Sequence, residues 1–293
     1  MKSLVALIVL SIIFTTLIYG QHVFIVVIDG VRYSETFGSE GQYIPYMWNT
    51  LRPQGSIYTS FRNDGYTATI SGHTAIMTGT WEKLINDGSE RPASPTLFEY
   101  LRKQKALPEA SCFLVSRKSK LDALTHSTHR EYGSTYKASF TYGRHSDLQT
   151  WKKLVEAMNE HHPRLVMVTF AETDLNGHAG QWKDYLSALR QADSLVNLLW
   201  EKIQTDSVYK NSTTMFVTTD HGRHDDEHGG FQNHGDSCEG CRHIWLLAIG
   251  PDIKPNTRVS KTTYQVDLTP TIGQILGLKL PTLLGRSLIY VKK

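Results

Sequence analysis

Residues 214–222 read TMFVTTDHG, and this stretch decides the fold. Thr214–Thr218 is apolar or β-branched without alternation, the pattern of a strand buried on both faces. It then delivers an acid and a histidine, Asp220 and His221, ahead of a glycine. Similar apolar runs occur at Val23–Ile28, Cys112–Val115, Leu165–Phe170 and Ile244–Ile249. Helical patterns lie between them. Trp151, Leu154, Val155 and Met158 form one stripe. Trp182, Tyr185, Leu186, Leu189, Val196 and Ile203 form a longer one. Ser94 with Pro95 reads as an N-cap and first turn for a helix over Pro95–Lys103. Asp267 is placed to cap a last helix that stops at Gly277. Strands alternating with helices predict an α/β fold, a mostly parallel central sheet with helices on both faces.

The 293 residues include 31 Lys+Arg against 28 Asp+Glu, with 40% hydrophobic and 20% charged. That composition excludes disorder, and a net charge of +3 argues against a nucleic-acid-binding surface. Residues 1–20 read as a secretion signal, with Lys2, the apolar run Leu4–Ile18 and small Gly20. The run is short for a membrane span. An uncleaved anchor is the alternative. The expectation is an exported protein, periplasmic or secreted, with no membrane span in the mature chain. Residues 21–293 carry no repeat or linker and suit a single domain.

Three cysteines are too few for a disulfide scaffold. Cys112 reads as a buried thiol. Cys238 and Cys241 form a C-x-x-C in a Gly-rich loop, and an exported chain favours a local disulfide there. Free thiols, or a metal site shared with His243, are the alternatives. The stretch Thr125–Tyr142 has no period and is either a cap over the site or a long loop.

In open α/β sheets, ligands bind beyond the carboxyl ends of the strands. Asp29 ends the first strand. Asp174 and His178 follow Leu165–Phe170, Asp220 and His221 follow Thr214–Thr218, and His234 lies in a polar loop before Ile244. His224 and His228 are rivals to His234. His22, His126, His129, His145, His161 and His162 read as surface or structural. Carboxylate oxygen with imidazole nitrogen suits zinc, with manganese or iron as alternatives. Six ligands exceed what one ion needs, so a pair is expected. Residues 66–79, YTATISGHTAIMTG, supply the candidate nucleophiles Thr67, Thr69 and Ser71 ahead of a helix start. A metal ion can make such a hydroxyl reactive, and a helix N-terminus stabilises a phosphoryl or sulfuryl oxygen.

The segment TISGHTAIMTG resembles the nucleophile motif T-x-P-[NG]-H-x-x-I-x-T-G of the alkaline phosphatase superfamily, in its type I phosphodiesterase/nucleotide pyrophosphatase and bacterial phosphatase branch. IDG at Asp29, D-x-x-x-H at Asp174 and His178, D-H-G at Asp220–Gly222 and H-G at His234 ahead of IWLLAIGP follow the family order. The ILGL and GRSL segments near the end look like the family's C-terminal stretch. Ser71 replaces the usual Pro.

The resemblance implies that Thr69 is the nucleophile. It places Asp29, Thr69, Asp220 and His221 on one zinc and Asp174, His178 and His234 on the other, and it prefers His234 to His228 and His243. It also implies a phosphoryl-binding Asn86 in LINDG. VSRKSKL is similar to the S-x-K-x-R of one monoesterase branch, implying substrate-binding Lys118 and Lys120. The C-x-P-S-R sulfatase motif is absent. The expected activity is hydrolysis of a small phosphate ester through a phosphothreonine, a monoester first and a diester second. Phosphonate hydrolase and phosphomutase activities use the same frame. A non-catalytic metal-bound binding protein is the rival from another class.

Overall fold

A computed structural model describes residues 21–281 and 285–289. The proposed signal, residues 1–20, lies outside them, as does part of the C-terminal stretch. In chain order the strands and α-helices are β1 (His22–Ile28), β2 (Gly55–Arg62), α1 (Thr69–Thr78), α2 (Leu97–Lys105), β3 (Cys112–Ser116), β4 (Ser139–Tyr142) and α3 (Asp147–His161). There follow β5 (Leu165–Phe170), α4 (Glu172–His178), α5 (Trp182–Thr205), β6 (Thr213–Thr218), α6 (Glu239–Arg242), β7 (His243–Ile249), β8 (Thr257–Val259), β9 (Thr263–Tyr264) and α7 (Leu268–Ile275).

The strands form one sheet in the order β4-β3-β5-β1-β6-β7-β2-β8, with β9 also on β2. Strand β7 runs antiparallel to both its neighbours, β6 and β2; the other pairings are parallel. The predicted mostly parallel α/β sheet is therefore what the chain forms. The reversal at β7 matters for the site. It keeps the whole connection 219–242 at the carboxyl edge of β6, where Asp29 and Asp174 also emerge.

Every residue of β1 is buried, because helices cover both faces of the sheet. The pleat sends alternate side chains to opposite sides. Phe24, Val26 and Ile28 join the cluster that holds Leu154 and Met158 of α3 and Leu189 and Val196 of α5. Val23, Ile25 and Val27 join Ile70 and Ile76 of α1, Leu97 and Leu101 of α2 and Ile272 of α7. Burying each such side chain contributes roughly 1.5–3 kcal/mol, and this anchors the strand ends that carry the polar residues.

Three local expectations change. Helix α2 is capped by Thr96, not Ser94: Thr96 Oγ1 accepts from Glu99 N–H, and Glu99 Oε2 accepts from Thr96 N–H at 2.7 Å. This capping box satisfies two free donors at once, which Ser94 with Pro95 cannot do. Helix α7 does follow Asp267, but that carboxylate accepts from Tyr264 N–H and Arg286 N–H and makes no side-chain cap on α7. The helix ends at Ile275, and Gly277 takes the left-handed backbone just beyond. The stretch Thr125–Tyr142 contains a 3-10 turn at Gly133–Tyr136 and then the edge strand β4.

Candidate metal centre and active site

Three strand ends bring their carboxylates together. Asp29 leaves β1, Asp174 sits in the first turn of α4 just after β5, and Asp220 follows β6. All three are buried, as is His221. His221 Nε2 lies 3.3 Å from Asp220 Oδ2 and 3.9 Å from Asp29 Oδ1. His234 stacks on His221, with ring centroids 3.8 Å apart, and its Nε2 is 3.6 Å from Asp174 Oδ1. His178 Nε2 is 3.0 Å from His234 Nε2 and 3.4 Å from Asp174 Oδ1. The structure thus gathers all six acids and histidines named from the sequence. His224 and His228 instead face Asp236 and Asp225, and His243 stacks on Tyr33.

The donor set fits divalent cations. Asp29 Oδ1, Asp220 Oδ2 and His221 Nε2 are buried with no hydrogen-bond partner. Such atoms are costly to bury unless another group engages them. Two backbone carbonyls also set the imidazoles. His221 Nδ1 is 2.8 Å from Gly222 O, and His234 Nδ1 is 2.8 Å from Thr67 O. A carbonyl only accepts, so Nδ1 carries the proton and Nε2 keeps its lone pair, the arrangement a metal ligand needs. Burial, then the neighbouring His221, pushes His234 down to about 2; burial likewise lowers His178. Both rings are neutral at pH 7.

His73 belongs to the centre in another way. Its Nδ1 is 2.8 Å from Thr69 O and 3.3 Å from Asp220 Oδ2, and its Nε2 meets Thr169 Oγ1 at 3.0 Å. With both nitrogens committed, His73 holds Asp220 and the first turn of α1 together. Gly72 explains the rest of the G-H pair. A Cβ there would overlap the backbone oxygen of Asp220.

The cations inside the cluster were less visible in the sequence. Lys118 Nζ lies 2.8 Å from Asp29 Oδ2, 2.6 Å from Asp174 Oδ2 and 3.3 Å from Thr69 Oγ1. It bridges carboxylates assigned to two different metals, and it also lines the cavity. Burial disfavours its ammonium, but Asp29 and Asp174 outweigh this and raise its pKa. Arg223 is fully buried; its guanidinium pairs with Asp174 and donates to the carbonyls of Phe231 and Gln232. Sequence reasoning passed over Arg223; its position directly after D-H-G was the available signal.

Burial, then the Asp220 charge, raises Asp29 to about 6 against the pull of Lys118. Burial opposes ionisation of Asp174, yet Lys118, His221 and Arg223 hold its carboxyl well below the usual range. Asp220 is also brought down despite burial, by His221 and His73.

Above these groups opens a cavity of about 420 Å³ lined by Thr69, Asn86, Arg117, Lys118, Lys120, Tyr142, Asp174, His178 and His234, among others. Asp29, Asp220 and His221 lie beneath it. Of the three candidate nucleophiles, Thr69 alone lines the cavity. Thr67 Oγ1 donates to Asp236 O, and buried Ser71 Oγ accepts from Leu84 N–H. Helix α1 starts at Thr69 itself, earlier than the expected start near Ala75. Ser71, which stands in for the family's Pro, tethers the segment leading to Asn86. Asn86 Oδ1 accepts from Ile70 N–H and from Lys120 Nζ, at 3.0 and 3.1 Å. Lys120 thus orients Asn86, whose amide NH2 is the polar group left for an anion.

The comparisons bear on family and fold. The Metalloenzyme superfamily model matches residues 123–280. The chain belongs to this alkaline phosphatase-like superfamily, whose members carry divalent metal. Among curated relatives, arylsulfatase K of Xenopus laevis is 33% identical over 97 residues, 33% of this chain and 18% of that protein. A 2,3-bisphosphoglycerate-independent phosphoglycerate mutase of Gracilaria tenuistipitata var. liui is 24% identical over 142 residues, 47% of this chain and 26% of that protein. These matches therefore span only a fraction of the relatives' lengths. Among solved structures, an alkaline phosphatase superfamily protein from Vibrio parahaemolyticus superposes with a TM-score of 0.65 at 16% identity, covering 92% of this chain and 69% of that one. The phosphonate monoester hydrolase of Agrobacterium radiobacter gives 0.66 at 13% identity, over 92% and 76%. At such identities the likeness is one of fold.

Proposed function

We propose that the protein is an exported phosphomonoester hydrolase that works through a phosphothreonine at Thr69 with two divalent ions, zinc by preference. The observation that carries this reading is that Thr69, alone among the three hydroxyls, opens into the cavity beside Lys118 and above the acid–histidine cluster. Asp29, Asp220, His221 and Thr69 would hold one ion, and Asp174, His178 and His234 the other. When bound, such ions lower the pKa of a hydroxyl or water and neutralise a leaving oxygen.

The chain's own groups do the rest. Thr69 Oγ lies at the N-terminus of α1, where the helix dipole favours negative charge. It forms the new bond to phosphorus as the bond to the leaving oxygen breaks. Lys118 stays protonated, so it acts as a fixed charge and not as a base. With Asn86 it faces the equatorial phosphoryl oxygens, where positioning and charge supply most of the rate. Water then attacks phosphorus from the opposite side, releasing phosphate and restoring Thr69. Two in-line displacements retain configuration at phosphorus.

The cations Arg117, Lys118 and Lys120 at the cavity wall suit the dianion of a monoester better than a singly charged diester. Export rests on residues 1–20; among the described residues no helix is long and apolar enough to cross a membrane.

The test compares p-nitrophenyl phosphate, bis-p-nitrophenyl phosphate, p-nitrophenyl sulfate and a phenylphosphonate ester on zinc-loaded enzyme, with Thr69→Ala and chelator controls. Fastest turnover of the monoester, lost in both controls, is expected. A faster diester, sulfate or phosphonate would move the substrate class while keeping the nucleophile. Turnover that survives Thr69→Ala would overturn the covalent step.

A further inference from the structure

The connection between β6 and β7 holds a second cluster of metal-ligating side chains. One ligand atom each from His224, Asp236, Cys238 and Cys241 lies within 4.8 Å of the others. Around a tetrahedral zinc, ligand atoms sit roughly 3.3–3.8 Å apart, from Zn–N, Zn–O and Zn–S lengths of about 2.0–2.3 Å. Only a small contraction separates the two arrangements.

One nitrogen here is unfinished, while Asp236 Oδ1 accepts from Cys238 N–H at 3.0 Å and leaves Oδ2 for a ligand. His224 Nε2 is buried and has no hydrogen-bond partner. Asp236 Oδ2 lies 3.2 Å from it, close enough to attract but not aligned to accept a hydrogen bond. Both cysteines are unpaired thiols, and Cys241 is buried. Cys238 is the N-cap of α6, so the C-x-x-C spacing puts both sulfurs on one turn. The neighbouring Asp225 and His228 are already occupied. Asp225 Oδ1 accepts from the N–H groups of Glu227 and His228 and contacts His228 Nδ1 at 2.5 Å. His243, the histidine first paired with these cysteines, contacts Thr59 O through Nε2.

We propose that His224, Asp236, Cys238 and Cys241 bind a structural zinc ion, separate from the catalytic cluster, that clips the loop carrying His234. Two sulfurs select zinc over hard cations, and four closed protein ligands mark a structural site. His224 directly follows Arg223, the residue that ties Asp174 to Phe231 and Gln232. Asp236 lies two residues beyond His234. An ion joining them closes the loop at both ends and offsets the entropy of ordering it. The inference is independent of which ester is cleaved.

Zinc-edge X-ray absorption on the purified full chain tests it, because no cysteine belongs to the catalytic cluster. The expected spectrum contains a sulfur shell at about 2.3 Å, two sulfurs for one zinc. Metal analysis should show one zinc per chain more than in the double variant Cys238→Ser/Cys241→Ser, which loses the sulfur shell. His224→Ala should weaken binding of this ion and leave both cysteines reactive to a thiol reagent in the presence of zinc. A zinc-loaded wild type with only nitrogen and oxygen neighbours would overturn the proposal. So would a Cys238–Cys241 disulfide in protein purified from its exported form without reductant.

Discussion

The Nε2 atoms of His178 and His234 face each other at 3.0 Å, although the residues are 56 positions apart. His234 has its proton committed to Thr67 O through Nδ1, so its Nε2 offers a lone pair to whatever lies between. A neutral His178 can answer with a proton, or a divalent ion can take both lone pairs together with Asp174. The side chain of His178 is 45% exposed, so its loss should cost the metal-free fold little. His178→Ala is expected to melt like the wild type without metal but to lose much of the zinc-induced rise in Tm. Melting curves with and without zinc decide it; an undiminished zinc shift would remove His178 from the ligand set.

Lys118 carries two loads. As a phosphoryl contact its loss should cut monoesterase turnover far more than diesterase turnover, and equal loss would sink that assignment. As the partner of Asp29 and Asp174 its loss leaves two buried carboxylates less compensated, a change that typically costs about 3–5 kcal/mol. Lys118→Ala should therefore lower the melting temperature of the metal-free protein. Added zinc, which supplies the missing positive charge, should restore much of it.

Gly72 is the point where α1 meets the Asp220 backbone. Gly72→Ala adds a methyl where that oxygen sits. The helix must shift, carrying Thr69 and His73 away from Asp220. A drop in kcat of tenfold or more is expected, with a smaller change in KM; steady-state kinetics on the monoester reads it. A near-normal kcat would show that this packing is not what positions Thr69.

Asp147, which is not itself a candidate metal ligand, gives a pH signature at the start of the helix that carries Asp174 and His178. Its carboxylate accepts from Ala171 N–H and Glu172 N–H at 2.8 and 3.0 Å, fixing the start of α4. Burial outweighs those donors and raises its pKa to about 7. Its folded value then exceeds the unfolded one, so the folded state binds the extra proton. The associated stability is full below about pH 4 and is lost as pH rises to about 7. Asp147→Asn should lack this decline, so the difference in unfolding free energy between the two proteins should change across that window. A constant difference from pH 4 to 7 would mean that Asp147 is ionised throughout.

Much of the fold was legible because the buried strands are written as unbroken apolar runs. β1, β3, β5, β6 and β7 all fall where those runs predict, within a residue. The strands that escaped, β2, β4, β8 and β9, are short or mixed in polarity and lie toward the sheet edges, where one face or end meets solvent and the hydrophobic pattern fades. The capping position of α2 was misread because Ser94 and Thr96 are both good cap residues. Only the reciprocal bond with Glu99 separates them.

Sequence alone determined which residue types stand at which strand ends: Asp29, Asp174 with His178, Asp220 with His221, and His234 in the loop that follows. That much is local, since each acid or histidine is placed by the strand or turn beside it. Tertiary structure decided the rest. It set Thr69 on the cavity wall and turned the hydroxyls of Thr67 and Ser71 to backbone groups of other segments. It set Nε2 as the free nitrogen of His234, because the distant carbonyl of Thr67 holds Nδ1; at His221 the adjacent Gly222 carbonyl does the same locally. It drew Lys118 and Arg223 into the carboxylate cluster and His224 toward Cys238 and Cys241. Apart from His221, these depend on partners outside the residue's own strand or turn, and the energy of a buried charge or lone pair is set by its neighbours in space.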